Sequence, residues 1–282
     1  MSIIVGIDVG GSTTKIVGFK NGALLKPQRV KADDPIASLY GAFGKFTSEN
    51  DVTLAEVERI MITGVGSTFV SDNIYGIETV HVNEFDANGR GGLYLSGLEE
   101  AIIVSMGTGT AFVHARHDGN SHLGGTGVGG GTLLGLSKLV LGMSDYAQIV
   151  ALAEDGDIAH VDLRIEDITE KDIIPTLSRY ATASNFGRIS DLASKSDLAL
   201  GILNLVFETI AMMAIFAARG KDIQDIVLIG NLAGLPQAEK IFEDLSLMFS
   251  LRFRIPRNAT FGTVIGAALG NEHDAAARRT NT

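Results

Sequence analysis

No cysteine occurs among the 282 residues. That excludes a disulfide scaffold, a cysteine zinc site and an iron–sulfur cluster held by the chain's own thiols. It argues equally against an ATPase that activates a partner reductase through such a cluster, and it fits a reducing, cytoplasmic compartment. Proline is scarce, at 5, so Pro-rich linkers are few. Basic residues are outnumbered, 23 Lys and Arg against 33 Asp and Glu, for a formal net charge of -10. A surface of that sign repels nucleic acid and anionic membranes, so neither is expected as a partner. The opening Met1-Ser2-Ile3-Ile4-Val5-Gly6-Ile7-Asp8 has no basic start and soon meets an acid, unlike a secretory leader. The most apolar stretch, 198–218, is broken by Asn204, Glu208 and Thr209. An acid at mid-bilayer costs about 2.5–3.5 kcal/mol, so a buried core or subunit-interface helix is expected instead.

What remains is a globular chain, 45% hydrophobic and 20% charged, with 34 glycines that imply many tight turns. Its length suits about two domains at ~100–200 residues each. Short apolar runs at 3–8, 15–20, 59–63, 79–83, 101–106, 111–116, 223–229 and 253–255 read as strands. Helical spacing marks 35–50, 84–95, 133–141, 236–249 and 262–269. A larger unit recurs near the start and again at 101–112: an apolar strand, a glycine turn, then a strand or helix. The natural reading is α/β, with two similar domains around a cleft.

The turns carry the chemistry. Asp8-Val9-Gly10-Gly11-Ser12-Thr13-Thr14-Lys15 sets a carboxylate at a strand end, beside two glycines and three hydroxyls. Glycines let backbone N–H groups approach phosphate oxygens, and the acid can hold hydrated Mg²⁺. No Walker A pattern is present. Gly107-Thr108-Gly109-Thr110 repeats this logic. Gly125-Thr126-Gly127-Val128-Gly129-Gly130 matches G-x-G-x-x-G but lacks the Rossmann context, while its glycines and Thr132 before a helix can still meet a phosphate. Gly230-Asn231 ends a buried strand in a small-residue turn with room for a flat base. Glu84-Phe85-Asp86 offers two acids, of which one can be a general base and the other a helix cap. His114, His117 and His122 are close in sequence, but strand alternation sets the first two on opposite faces.

In this order the pieces resemble the actin-like ATPase superfamily of sugar kinases, acetate kinase and heat-shock chaperones. The stretch 8–15 resembles its first phosphate loop, 104–111 its second, 227–233 its adenosine loop, and 261–269 the helix closing domain one. Within it the chain resembles type II pantothenate kinases over about 3–270. The matching stretches are Asp8-Val9-Gly10-Gly11-Ser12, Asn83-Glu84-Phe85-Asp86-Ala87, Met106-Gly107-Thr108-Gly109-Thr110, 124–136, Gly156-Asp157 with Asp162-Leu163, Ala181-Thr182-Ala183-Ser184-Asn185-Phe186-Gly187, and Phe261-Gly262-Thr263 with Gly266-Ala267.

The resemblance implies two actin-like (ribonuclease H-like) domains around a nucleotide cleft, 1–98 with 263–282 and 99–262, the latter carrying dimerisation helices. It implies ATP- and Mg²⁺-dependent phosphorylation of the primary hydroxyl of pantothenate, the first step of coenzyme A synthesis. On the matching positions Glu84 is the catalytic base and Asp8 the acid near Mg²⁺. Gly10, Gly11, Ser12, Thr13, Lys15, Gly107, Thr108, Gly109, Gly129, Gly130, Thr132, Gly230 and Asn231 hold the nucleotide. Thr108, Tyr180, Ala181 and Ala183 reach the acceptor, the last three across a homodimer. Coenzyme A or an acyl-coenzyme A is a candidate feedback ligand. Two positions depart. His122 stands where the family has an Arg that places substrate and stabilises transferred charge, so His122 is the second catalytic candidate. Ala111 stands where some members bind substrate with Ser. An amino-sugar-like kinase of the same fold, or a coenzyme A- or nucleotide-binding pseudokinase, are the alternatives.

Overall fold

The computed structural model describes residues 2–31, 34–169 and 178–270. The part of the expected first domain at 271–282 lies outside the described residues.

Two sheets share one plan. In the first, β1 (Ile3–Val9) is antiparallel to β2 (Thr13–Lys20), which also pairs with β3 (Ala23–Leu24) and β4 (Gln28–Lys31). On its other side β1 runs parallel to β5 (Val57–Thr63), and β5 to β6 (Thr79–His81). In the second, β7 (Glu100–Met106) is antiparallel to β8 (Thr110–Arg116), and β8 to β9 (Gly119–Thr126). Its other side is parallel to β12 (Asp225–Ile229), which pairs with β13 (Arg252–Arg254); the β10 (Leu163–Arg164) and β11 (Thr182–Ser184) pair stands apart. Order and direction therefore correspond along five strands, and the first sheet adds a sixth, β4, on β2. The central strands β1, β7 and β12 are apolar on both faces because helices cover both sides.

Several helices begin at side-chain caps, and at the helix starting at Glu84 the cap is Asn83, not one of the acids at 84 and 86 as the sequence suggested. Asp34 accepts the Ala37 N–H at 2.7 Å to start α1 (Pro35–Glu49), with Pro35 in the first turn. Asn83 accepts from the Phe85 and Asp86 N–H groups to start α2 (Glu84–Ser96), which Gly97 ends at φ 68°. α3 (Gly130–Leu141) and α4 (Tyr146–Ala153) precede the long α5 (Lys195–Gly220); α6 (Pro236–Phe249) and α7 (Gly262–Ala268) follow. α2 and α7 cross at backbone distance. A Cβ on Gly91 would run into the Gly262 carbonyl, and one on Gly266 into the Ala87 carbonyl. Arg90 Nη1 donates to the Gly266 carbonyl at 3.1 Å across the same crossing. Only glycine permits that approach, and it fixes the start of α2 against the first sheet.

Two sequence expectations shift. The glycine run at 124–132 is not one loop: its first part is the strand β9, and α3 begins at Gly130, not at 133. A Cβ on Gly125 would lie 2.8 Å from the Thr110 carbonyl, so the strand pairs closely only because the residue is glycine. The apolar 198–218 stretch is the centre of the second lobe's core. Leu203, Phe207, Ile210 and Ile215 on α5 are fully buried with Phe242 on α6. The helix is long and apolar enough to cross a membrane, but 56% of its most apolar window is buried within the fold.

Several stretches that carry the resemblance hold this core together. Asp162 is fully buried and accepts from the Phe186 N–H at 2.8 Å, Asn204 Nδ2 at 2.8 Å and Asn185 Nδ2 at 3.2 Å. Glu208 accepts from Thr182 Oγ1 and Asn185 Nδ2. Asp197, in the first turn of α5, accepts from the Asp157 and Ser194 N–H groups and pairs with His160, bonds that hold its carboxyl far below the ordinary range.

Candidate active site

The first turn, between β1 and β2, and the second, between β7 and β8, face each other across a cleft of about 460 Å³. Asp8, Gly10, Gly11, Ser12, Thr13 and Lys15 line one side; Gly107, Thr108 and Gly109 line the other, with Gly230 and Asn231 at its edge. A Cβ on Gly11 would sit 3.6 Å from Thr108 Oγ1, so the turns nearly touch. Asn231 Nδ2 donates to Thr13 Oγ1 at 3.3 Å, tying the second lobe's strand end to the first turn. Of the three hydroxyls in that turn, Ser12 faces the cleft, Thr13 meets Asn231, and Thr14 turns inward to Ser38 Oγ at 3.0 Å.

Charge is concentrated on one wall. Asp8 and Lys15 are directly paired across β1 and β2, and both are buried. Glu84 enters from the first turn of α2. Burial pushes the Asp8 carboxyl above its ordinary 3.8, with Lys15 opposing. Burial and the neighbouring Asp8 charge push Glu84 above 4.5, again against Lys15. The Lys15 ammonium is pushed below 10.5 by burial and, less, by Arg29. Three ionisable groups are thus held in a desolvated floor at the mouth of two backbone turns, an arrangement typical of reactive sites.

The pair of acids at 84 and 86 is resolved. Asp86 does not line the cleft; its main-chain and side-chain oxygens face Asn120 Nδ2 at 3.3 and 3.5 Å. Glu84 is the acid in position. His122, on β9, lines the cleft with its ring stacked on Phe85, centroids 3.7 Å apart and planes 12° apart. His114 pairs with Glu100 and His117 with Glu99, so the three histidines have three separate environments. Arg188 pairs with Asp167 away from the cleft.

Gly129, Gly130 and Thr132 stand one layer behind the second turn. The Gly130 N–H donates to the Gly107 carbonyl at 2.9 Å and the Gly131 N–H to the Thr108 carbonyl at 2.8 Å. Thr132 Oγ1 donates to the Gly127 carbonyl and accepts from the Gly129 N–H. These groups are spent on holding the turn. Tyr180 lines a separate cavity beside Arg164, Asn204 and Glu208, and neither Ala181 nor Ala183 lines the cleft.

Gly64, Phe85, Ser105 and Thr263 also line the cleft; the last three fall in stretches that carry the resemblance but receive no role of their own from it. Gly64 had a signal, a glycine just after a buried strand. At φ +87° it passes so close to Asp8 that a Cβ would lie 2.5 Å from Oδ1. A second cavity of about 940 Å³ adjoins the first through Ser12, Thr13 and Asn231, and is lined further by Arg29, Lys31, Tyr146, Gly234 and Leu235.

The Fumble family model matches residues 45–250, most of the chain, which therefore belongs to this family, that of the type II pantothenate kinases. A type II pantothenate kinase of Staphylococcus aureus (strain USA300) is 29% identical over 275 residues, covering 93% of this chain and 97% of the relative. Among solved structures, an activator of the 2-hydroxyisocaproyl-CoA dehydratase from Clostridium difficile, with bound ADPNP, superposes with TM-score 0.69 at 16% identity over 99% of this chain and 98% of its own. A ROK family glucokinase from Streptomyces griseus, in complex with glucose and AMPPNP, gives TM-score 0.56 at 12% identity over 95% and 98%. Both are likenesses of fold, the two-lobed actin-like α/β architecture.

Proposed function

We propose that this member of the Fumble family transfers the terminal phosphoryl group of ATP to the primary hydroxyl of pantothenate or a close pantothenate-like alcohol, opening coenzyme A synthesis in the cytoplasm. The observation that carries the reading is the convergence of Asp8, Lys15 and Glu84 in one buried floor between two glycine turns. The relatives' name and the nucleotide analogues named with two fold neighbours support it.

In this reading Glu84 orients the acceptor hydroxyl and takes its proton as the oxygen attacks phosphorus. Its desolvation suits the role, because a base whose pKa lies above the ordinary carboxylate value transfers a proton more readily near neutral pH. The backbone N–H groups of Gly11 and Ser12 and the Thr108 hydroxyl offer donors to the moving phosphoryl group, and Lys15 offers charge, while the Gly10 N–H holds the turn through the Thr13 carbonyl. Asp8 fits Mg²⁺: its carboxylate is buried and disfavoured as an anion, a cost that a bound cation removes. When bound, the ion would neutralise phosphate charge. The larger cavity, beside Gly234 and Leu235, takes the adenosine end. Closure of the lobes keeps water from the phosphoryl group.

The acceptor also draws on a second copy of the chain. On α5 the stripe Leu205, Thr209, Met212 and Phe216 is only partly covered, Phe216 being 64% exposed. A homodimer through that face would bring the segment 180–183 to its partner's cleft, where a coenzyme A-type feedback ligand would also extend. Light scattering should give twice the chain mass at micromolar concentration; a single-chain mass there would remove this part of the reading.

The decisive test is an ADP-release assay with pantothenate, N-substituted pantothenamides and N-acetylglucosamine. Acceptor-dependent release with pantothenate or its amides supports the proposal. Release with the amino sugar alone, or none with any acceptor, overturns it.

A further inference from the structure

β4 pairs antiparallel with β2 in the register Lys15↔Arg29 and Thr13↔Lys31. Residues directly opposed across two strands project from the same face. Lys15 enters the cleft floor, so Arg29 projects on the same side, and it lines the larger cavity with Ser12, Thr13 and Lys31. Arg29 is exposed and has no carboxylate partner among the described residues. Like charges directly opposed on a sheet are destabilising, and the Arg29 charge is one cause of the depressed Lys15 ammonium. A polyanion lying against both groups would remove that repulsion.

The path for one is present. The two cavities meet at Ser12, Thr13 and Asn231, beside the first glycine turn. A chain of phosphates running from the larger cavity into the smaller one passes Arg29 and then Lys15. From the second lobe no Arg or Lys lines either cavity among the described residues, and His122 is turned flat onto Phe85.

We propose that Arg29 binds the polyphosphate tail of the nucleoside triphosphate donor, so that β4 supplies from the first lobe a guanidinium that no described residue of the second lobe brings to either cavity. This rests on the ATP-dependent reading above. A guanidinium grips two phosphate oxygens at once through a planar fork of parallel N–H bonds, a geometry that a lysine ammonium lacks.

Calorimetric titration of the full chain with Mg-ATP, tripolyphosphate and adenosine tests it. Arg29→Ala should weaken ATP and tripolyphosphate about tenfold, the size of one hydrogen bond between charged groups. Adenosine binding should change by less than about twofold, and Arg29→Lys should recover part of the loss. The ligand-free melting temperature of Arg29→Ala should be unchanged or higher, since a repulsion has been removed. Removing the exposed charge of Lys45 on α1 should not change ATP affinity. Wild-type ATP affinity in Arg29→Ala, an equal loss for adenosine, or a wild-type chain that binds neither ATP nor tripolyphosphate each overturns the proposal. Arg29-dependent binding of both, with no transfer to any acceptor in the panel, would sustain this proposal while defeating the functional reading.

Discussion

The first turn, at 8–15, and the second, at 107–110, occupy equivalent places in two sheets of the same strand order, yet they are built differently. The first carries the charge: Asp8 and Lys15 are buried side by side, and Gly64 clears the space behind the acid. The second carries no ionisable side chain. Its carbonyls are pinned by N–H groups from the start of α3, and Thr110 Oγ1 donates to the Val128 carbonyl at 2.8 Å. A repeated backbone device has thus been divided into a reactive half and a rigid half. Charged groups are costly to bury, so one lobe bears that cost and the other is free to be well satisfied.

The largest effect should come from Glu84, the acid added to the reactive half. General-base catalysis is typically worth ~10²–10⁴ in rate. Glu84→Gln should lower kcat at least ~10²-fold while ATP affinity, measured by titration, changes little. Near-normal turnover would remove Glu84 from the mechanism. The same group sets the acid side of the pH profile. Because burial and Asp8 raise its pKa, kcat/KM should begin to fall at a pH above the ordinary Glu value of 4.5.

Glycines behind the two turns separate reactivity from rigidity. A Cβ at Gly64 would press on Asp8 Oδ1 and the Val9 carbonyl at a backbone φ of +87°; one at Gly129 would press on the Thr108 carbonyl at 2.7 Å. Overpacking of this kind costs about 1–3 kcal/mol, and the positive-φ extended backbone at position 64, essentially a glycine conformation, adds about 1–3 kcal/mol more. Both alanine variants should melt lower. Gly64→Ala should also lose kcat, because it moves an acid, whereas Gly129→Ala should keep kcat within about tenfold. Equal loss of kcat in the two would erase the distinction between the halves.

Acid should act on the lobes in opposite senses. Asp8 has a raised pKa, so the fold binds its proton more tightly than the unfolded chain does. That group costs stability at neutral pH and stops doing so as pH falls through its folded value. Asp8→Asn should therefore raise the melting temperature at pH 7, with the gain shrinking toward pH 4. Asp225, held by Arg252 and Arg254 on the far edge of the second sheet, has its pKa lowered to about 2. Its contribution is complete above 3.8 and is lost as pH falls toward 2. Asp225→Asn should cost up to ~1 kcal/mol at pH 7, less in high salt, and nothing near pH 2. Parallel melting curves for the two variants across pH would contradict this assignment.

The reach of the sequence follows the same division. Apolar strands ending in glycines and apolar residues at helical spacing are local signals, and the two-lobed fold and its first turn are legible from them. The reactive floor is nearly so, because Asp8 and Lys15 sit within one hairpin. What escapes is set by partners distant in the chain. Gly64 matters through Asp8, Arg29 through its register with Lys15, and the glycines at 129–131 through carbonyls on the second turn. The glycine run before α3 has the composition of a phosphate loop, but composition does not reveal that the N–H groups of 128–131 already have partners within the protein. Asp157, Asp162 and Asn185 match family motifs, yet their hydrogen bonds hold α5 and not the cleft.

The smallest effect is expected at His122, where the rigid half touches the reactive one. Its ring lies flat on Phe85, and Phe85 follows Glu84 in the first turn of α2. Aromatic stacking of this kind is worth about 0.5–1.5 kcal/mol. In that place the ring would fix the wall next to the proposed base rather than act as the second catalytic residue the sequence suggested, so its loss should be felt in acceptor binding more than in proton transfer. His122→Ala should raise the acceptor KM about two- to tenfold and leave kcat within about threefold. His122→Arg keeps a flat group that can stack on Phe85 and adds a charge that can grip an anion. It should restore the acceptor KM and also lower the KM for ATP, because a second guanidinium then joins Arg29 at the phosphates. Combined with Arg29→Ala it should recover ATP affinity that the single Arg29 variant loses. Full additivity of the two substitutions would mean that the two positions face different parts of the nucleotide, and that the lobes do not share the phosphate charge between them.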